Sequence, residues 1–435
     1  MPKPISEITT MQYGGGCPKK FLHDFMKRNE RDISEARAIA EKIVDDVRHN
    51  GDKAVLSYTK ELDGAVLSPN QMLVKKTEIS EAYTKIDPKF FEVLKRAIKR
   101  VRAYHEKQKV SGWLDVFGEG EMMGQMVRPI ESCGVYVPGG TAPLVSSLIM
   151  LTVPAKTAGV KKLVVTTPPG KNGKIDPSLI VAAIETGVDE IYKVGGAQAI
   201  AAMAFGTETI PKVDKIVGPG SIYVIMAQRA VYGYVGIASL PGPSEIVVIA
   251  DETASAGHVA ADMLSQAEHG ETSSSILITD SRSLVEKVQK EVIKQAKNLT
   301  RRDIIAASLA KNGLVIIVDD ILDAVKLSDV LAPEHLALEV AEPLALLSRV
   351  NNAGAVFLGH ETPEPLGDYM AGPSHVLPTE TTARFFSPIS VDDFIKKTSV
   401  IYFDKHATHK IKDDVISFAE TEGLTAHANA VRVRG

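Results

Sequence analysis

From Asp32 onward, apolar residues recur at helical spacing. Ile33, Ile39, Ile43, Val44 and Val47 fall near one face, and Gly51 ends that stretch. Asp52 caps the next predicted helix, which runs through Leu56 to Leu62, and Asp87-Pro88 opens a third. Phe91, Leu94, Ile98 and Val101 form the stripe of that third helix, and its opposite face is basic and solvated. Residues 1–30 show only weak periodicity and read as an N-terminal arm. Near Gly134 the pattern changes. Short β-branched runs (Leu163–Thr167, Ile191–Val194, Ile216–Val217) alternate with Ala-rich helical stretches, and each run is followed by Gly or Pro. A second such series begins at Ile246–Ala250 and continues through Ile276–Thr279, Leu314–Val318 and Ala355–Leu358.

This alternation predicts an α/β protein with two Rossmann-like, doubly wound units. One spans 134–245. The other combines 246–387 with the early helices at 31–133, which are expected to pack onto it. A small helical tail, 388–435, follows.

Composition narrows the function classes. The chain has 435 residues, 44% hydrophobic and 24% charged, with a formal net charge of −4. That is the profile of an ordinary globular protein, and it supplies no basic surface for nucleic acid or an anionic membrane. Cys17 and Cys133 are too few for a disulfide framework or a thiolate metal site. Neither a signal peptide nor a run of about 18 apolar residues is present, so a cytoplasmic protein is expected.

Candidate chemistry lies at the turns. Open α/β sheets bind ligands beyond the carboxyl ends of their strands, at Gly-rich turns that free backbone N–H groups. Three turns qualify: Tyr136-Val137-Pro138-Gly139-Gly140-Thr141, Val194-Gly195-Gly196-Ala197-Gln198 and Val217-Gly218-Pro219-Gly220-Ser221. None follows the Gly-x-Gly-x-x-Gly pattern with an acid about 20 residues later. The helix predicted over Thr253–Glu268 ends in Gln266 and His269, which share a face and can reach one ion. A His at a helix C-terminus also complements the dipole, so spacing alone leaves both readings open. Glu334-His335 sets an acid beside an imidazole; the pair suits proton transfer and equally suits a surface loop. Asp368 and His375 lie in a Gly/Pro-rich loop after the strand ending at Leu358, and Glu422 and His427 lie just past a late helix.

Seven strings, in order, resemble histidinol dehydrogenases: YVPGG at 136–140, GGAQAIAA at 195–202, GPSE at 242–245, SQAEHG at 265–270, APEHLAL at 332–338, HVLPT at 375–379 and LTAHANAV at 424–431. The resemblance runs over nearly the whole chain. It implies a homodimeric enzyme that oxidises a small alcohol through an aldehyde to a carboxylate, with one zinc per subunit and two NAD. It implies Gln266, His269, Asp368 and His427 as zinc ligands, with His427 and the dimerisation tail coming from the other subunit. It further implies Glu334 and His335 as the catalytic pair, Ser244, His375 and Glu422 as substrate contacts, and Tyr136, Gln198 and Ser221 as cofactor contacts in the 134–245 unit. Three positions depart from the family pattern. Ser221 stands for Asn, Ala238 for an acid, and Glu380-Thr381 for Gly-Gly. Histidinol is the expected substrate, with a sulfonated propanediol as the alternative. A zinc hydrolase would not need the Gly-rich unit, and a catalytically silent binding protein would not need the complete set of site residues.

Overall fold

A computed structural model describes residues 7–28, 33–139, 143–240 and 242–434. In chain order the strands are β1 (Thr9–Gln12), β2 (Trp113–Gly118), β3 (Glu121–Pro129), β4 (Ser132–Tyr136), β5 (Lys162–Thr167), β6 (Glu190–Lys193) and β7 (Lys215–Val217). They continue with β8 (Gly236–Ile237), β9 (Glu245–Ala250), β10 (Ser274–Thr279), β11 (Gly313–Ile317), β12 (His335–Glu339), β13 (Ala355–Leu358) and β14 (Ile395–Phe403). Two parallel sheets result, ordered β6-β5-β4-β7-β8 and β1-β11-β10-β9-β12-β13. Each is doubly wound. Chain order reverses between β4 and β7 in the first and between β9 and β12 in the second.

The apolar runs form these strands because helices cover both sheet faces. On the first sheet, Val135, Leu163, Val165 and Ile191 pack under the helices Pro88–Glu106, Val145–Ala158 and Pro177–Thr186. On its other face, Val164, Tyr192 and Ile216 meet the helices Gly196–Phe205 and Ile222–Val231. The second sheet is sandwiched in the same way, with Ile246, Val248 and Ala337 on one side and Val247, Ile249 and Leu336 on the other.

The early helices correct an expectation. They pack chiefly onto the first sheet's helices, and the helix Pro88–Glu106 also meets Met370 and Val376 of the unit after residue 245. Ile43, Val44, Val47 and Val55 of the helix Ser34–Tyr58 lie against Ala199, Ile200 and Met203. The Ala-rich surface there lets two helices approach closely. Gly51 does break helical geometry, at φ 50°, but the helix resumes beyond it. Asp52 does not cap that second stretch. It is buried and accepts hydrogen bonds from the Thr209 backbone N–H and hydroxyl. The N-terminal segment supplies β1, a parallel edge strand on β11, and its helix Pro18–Arg28 packs on the helix Ile321–Leu331.

An antiparallel sheet, β14-β3-β2, was not expected from the pattern. The tail is therefore a nine-residue strand followed by the helices Lys405–Thr421 and Thr425–Arg432, which pack on one another, the first of them also on β14. Among the described residues no helix is long and apolar enough to cross a membrane.

Candidate active site

The Glu334–His335 pair is not a surface loop. The helix Ile321–Leu331 closes through Ala332 in the left-handed region (φ 47°), and Pro333 and Glu334 lead into β12, whose first residue is His335. Both side chains are buried, 6% and 4% exposed. The pair sits at the amino end of β12 and not at the carboxyl edge that the general rule for such sheets suggests. Its neighbour across the strand reversal is Glu245, which opens β9. The Glu245 backbone N–H donates to the Glu334 carboxylate at 2.9 Å, and His335 Nδ1 lies 3.2 Å from the Glu245 carbonyl. A carbonyl can only accept, so Nδ1 carries the hydrogen and Nε2 keeps its lone pair. Burial pushes the imidazole down to about 4, so it is neutral at physiological pH. Burial also holds the Glu334 carboxyl well above its usual range, and the charges of Glu245, Asp368 and Glu364 add to that.

The helix Ala256–Ala267 follows β9 and runs back toward the same amino edge, so its last turn delivers Gln266 there. Gln266 is wholly enclosed, and neither amide atom has a hydrogen-bond partner. An enclosed amide of this kind is costly unless something else binds it. His269 follows in the next turn, with Nδ1 3.1 Å from the Ser265 carbonyl and Nε2 4.0 Å from Asp368 Oδ2. Asp368 belongs to the short helix Pro365–Tyr369; its backbone carbonyl accepts the Nδ1–H of His375 at 3.0 Å, and its carboxylate lies 3.1 Å from the same nitrogen. The Ser147 hydroxyl meets His375 Nε2 at 3.2 Å. Burial alone would raise Asp368, but the His375 hydrogen bond and the surrounding imidazoles hold it low.

One residue escaped the sequence reading. Glu364, 1% exposed, lies 3.4 Å from His335 Nε2. Donor atoms of His335, Glu364 and Asp368 all come within 4.8 Å of one another. Burial and the neighbouring Asp368 carboxylate push the Glu364 carboxyl up. The only signal in the sequence was its position four residues before Asp368, which puts both on one helical face.

Of the four expected metal ligands, His269 and Asp368 come within 4.0 Å of one another, and Gln266 lies one turn before His269. Nitrogen and oxygen donors of this kind suit zinc, and the orphaned Gln266 amide fits a missing partner. Ser244 lies one residue before Glu245, and its carbonyl accepts the Ser274 N–H. Glu422 and His427 are not brought to this site. Both are exposed on the tail helices.

The residues expected at the cofactor lie at the carboxyl edge, as the rule has it. Tyr136 ends β4, the Gly195-Gly196 turn follows β6, and Gly218 to Ser221 follow β7. A Cβ on Gly139 or Gly195 would collide with Pro168, and one on Gly218 with the Tyr136 carbonyl. These turns are glycine because backbone and ring pass so close. The Tyr136 hydroxyl accepts the Gly196 N–H at 3.2 Å, and burial pushes the phenol up to about 12. Gln198 is fully buried with both amide atoms unpartnered, as Gln266 is. Ser221 precedes the helix Ile222–Val231 without capping it. Gly140 and Thr141 lie outside the described residues.

The two edges meet. Ser221 from one sheet and Glu245 from the other line a single cavity of about 1080 Å³. Glu380 and Thr381 line it too, at φ 50° and 68°, the left-handed region where the family pattern has Gly-Gly. The Glu380 backbone N–H donates to Glu245 Oε1 at 3.0 Å.

The histidinol dehydrogenase family profile matches residues 26–435. A histidinol dehydrogenase of Caldanaerobacter subterraneus subsp. tengcongensis is 54% identical over 413 residues, 94% of this chain and 96% of that one. One from Clostridium acetobutylicum is 49% identical, over 98% and 99% of the two chains. The crystal structure of histidinol dehydrogenase from Elizabethkingia anophelis superposes with a TM-score of 0.93 at 36% identity, covering 98% of each chain.

Proposed function

The chain belongs to the histidinol dehydrogenase family, and from that premise we propose how its residues divide the work of oxidising histidinol to histidine with two NAD. The observation that carries the reading is the double hold of Glu245 on the catalytic pair. Its N–H fixes the Glu334 carboxyl, and its carbonyl fixes the His335 tautomer. The neutral Nε2 is then a ready base for the substrate hydroxyl proton while hydride leaves for the nicotinamide. In the second half-reaction Glu334 takes the proton of the water that attacks the aldehyde carbon. His335 accepts the proton released as the second hydride departs.

Zinc would be held by Gln266, His269, Asp368 and the partner's His427, and when bound it supplies a charged template that fixes the substrate's imidazole and amine. The supports for these ligands are the enclosed, partnerless Gln266 amide and the approach of His269 to Asp368.

Two features support a homodimer with shared sites. Glu422 and His427 lie exposed on the tail helices. The same region carries exposed apolar side chains, among them Trp113, Val116, Ile401 and Phe418. A second copy would cover that surface and supply Glu422 to the substrate contacts Ser244 and His375 and His427 to the metal ligands.

The test is NADH formation on adding histidinol, histidinal or a sulfonated propanediol with NAD. Turnover of histidinol and histidinal supports the reading; turnover of the diol alone overturns it.

A further inference from the structure

The Gly-rich turns lack the acid that, in dinucleotide-binding sheets, accepts the ribose hydroxyls about 20 residues downstream. An acid arrives from elsewhere. After the helix Ser34–Tyr58 the chain tightens into a π-turn, Thr59–Asp63, closed by Gly64 at φ 70°. Asp63 thereby reaches the carboxyl edge of the β4–β8 sheet. There it lines a cavity of about 760 Å³ with Gly139, Thr167, Pro168 and Lys171. Its Oδ2 is buried without a hydrogen-bond partner, although burial has raised the carboxyl to about 6. It is close enough to Tyr136 for its charge to act on that phenol.

Other acids in the wall are engaged. Glu78 pairs with Lys193 at 2.7 Å, Glu81 with Lys85, and Asp176 takes the Ser178 N–H at 2.8 Å. Asp63 has no such partner. The cavity also shares no lining residue with the one that joins Ser221 to Glu245. Glu245, whose carbonyl holds His335, lines the latter, and that cavity is assigned to the nicotinamide end. The β5 side of the strand reversal is left for the other end of the dinucleotide.

We propose that Asp63 accepts the hydroxyls of the adenosine ribose of NAD and excludes a 2′-phosphate there, making it a specificity-determining residue. The proposal rests on the cofactor lying at the carboxyl edge of the β4–β8 sheet. A carboxylate offers two acceptor oxygens to a vicinal diol, and it repels a phosphate dianion placed against it.

The experiment compares wild type with Asp63→Asn, using histidinol and either NAD or NADP. Bonds to a charged acceptor correspond to about tenfold to hundredfold in affinity. The expected result is a rise of that size in KM for NAD, with kcat within about twofold and the KM for histidinol unchanged. The NAD-over-NADP preference should fall at least about tenfold. An unchanged preference in a folded Asp63→Asn overturns the proposal, and so does an equal loss with both cofactors. Should the variant not fold, wild type is assayed with NAD lacking the adenosine 2′-hydroxyl. A KM at least about tenfold above that for NAD supports the proposal, and an equal KM overturns it. If wild type forms no NADH from histidinol and NAD, the functional reading itself fails, a result distinct from either.

Discussion

Gln266→Leu should stabilise the metal-free protein and destabilise the zinc-loaded one. The Gln266 side chain is fully enclosed, with neither amide atom partnered. Leaving a buried polar group unmade costs about 1–3 kcal/mol. Leucine has a similar volume and removes both orphans. After an allowance of about 1 kcal/mol for imperfect shape, the gain is about 0–2 kcal/mol. Zinc acts in the opposite sense. A ligand that binds only the folded state adds about 4 kcal/mol at a thousandfold excess over Kd, and the loss of one donor forfeits most of that. The melting curves therefore cross. In a chelator the variant unfolds at the higher temperature; with zinc the parent does. Scanning calorimetry under both conditions reads this directly. A variant that melts lower in the chelator, or that gains as much from zinc as the parent, would refute the assignment of Gln266 as a ligand held ready for the metal.

Other outcomes follow from the same geometry. His335→Asn should lower turnover by about a hundredfold to ten-thousandfold with zinc content unchanged, as metal analysis beside steady-state kinetics would show. The pH dependence divides between His335 and Glu334. His335, pushed down to about 4, is already in its basic form above pH 5, so it contributes no loss of rate between pH 8 and 6. Glu334 is pushed up, so its carboxylate form grows as pH rises, and the aldehyde half-reaction should accelerate over that rise. Glu334→Gln should abolish that rise, and a parent profile that is flat there would count against Glu334 as the water's base. Replacing Glu380 and Thr381 together by Gly relieves two left-handed residues, each strained by about 1–2 kcal/mol, against an entropic cost of about 0.5–1 kcal/mol apiece. The denaturant midpoint should rise slightly, and a clear fall would show that the two side chains contribute more than the strain removes.

Much of the fold was legible because β-branched runs in a covered parallel sheet are nearly continuous. Ala355–Leu358 was read to the residue, and β5, β9 and β10 to within two. The antiparallel β2-β3-β14 sheet was not. Its strands mix exposed Trp113, Val116 and Ile401 with charged residues, so neither face carries a clean alternation. The carboxyl-edge rule placed Tyr136, Gln198 and Ser221 but not Glu334 and His335. Those two lie at the amino edge of the second sheet, reached by the returning helix that ends in Gln266. Periodicity paired Gln266 with His269. It gave no reason to join them to Asp368, which approaches only through the fold, or to Glu364, which looked like one more acid in a loop.

The claim that the site is completed across the dimer is tested most directly by mixing two inactive variants, His335→Asn and His427→Asn, and letting the subunits exchange. If the partner's His427 completes the site, each mixed dimer has one site with both groups intact. Random exchange then restores about a quarter of wild-type activity. If His427 serves its own subunit, every site retains one lesion and the mixture stays as inactive as its components. That result would contradict the account.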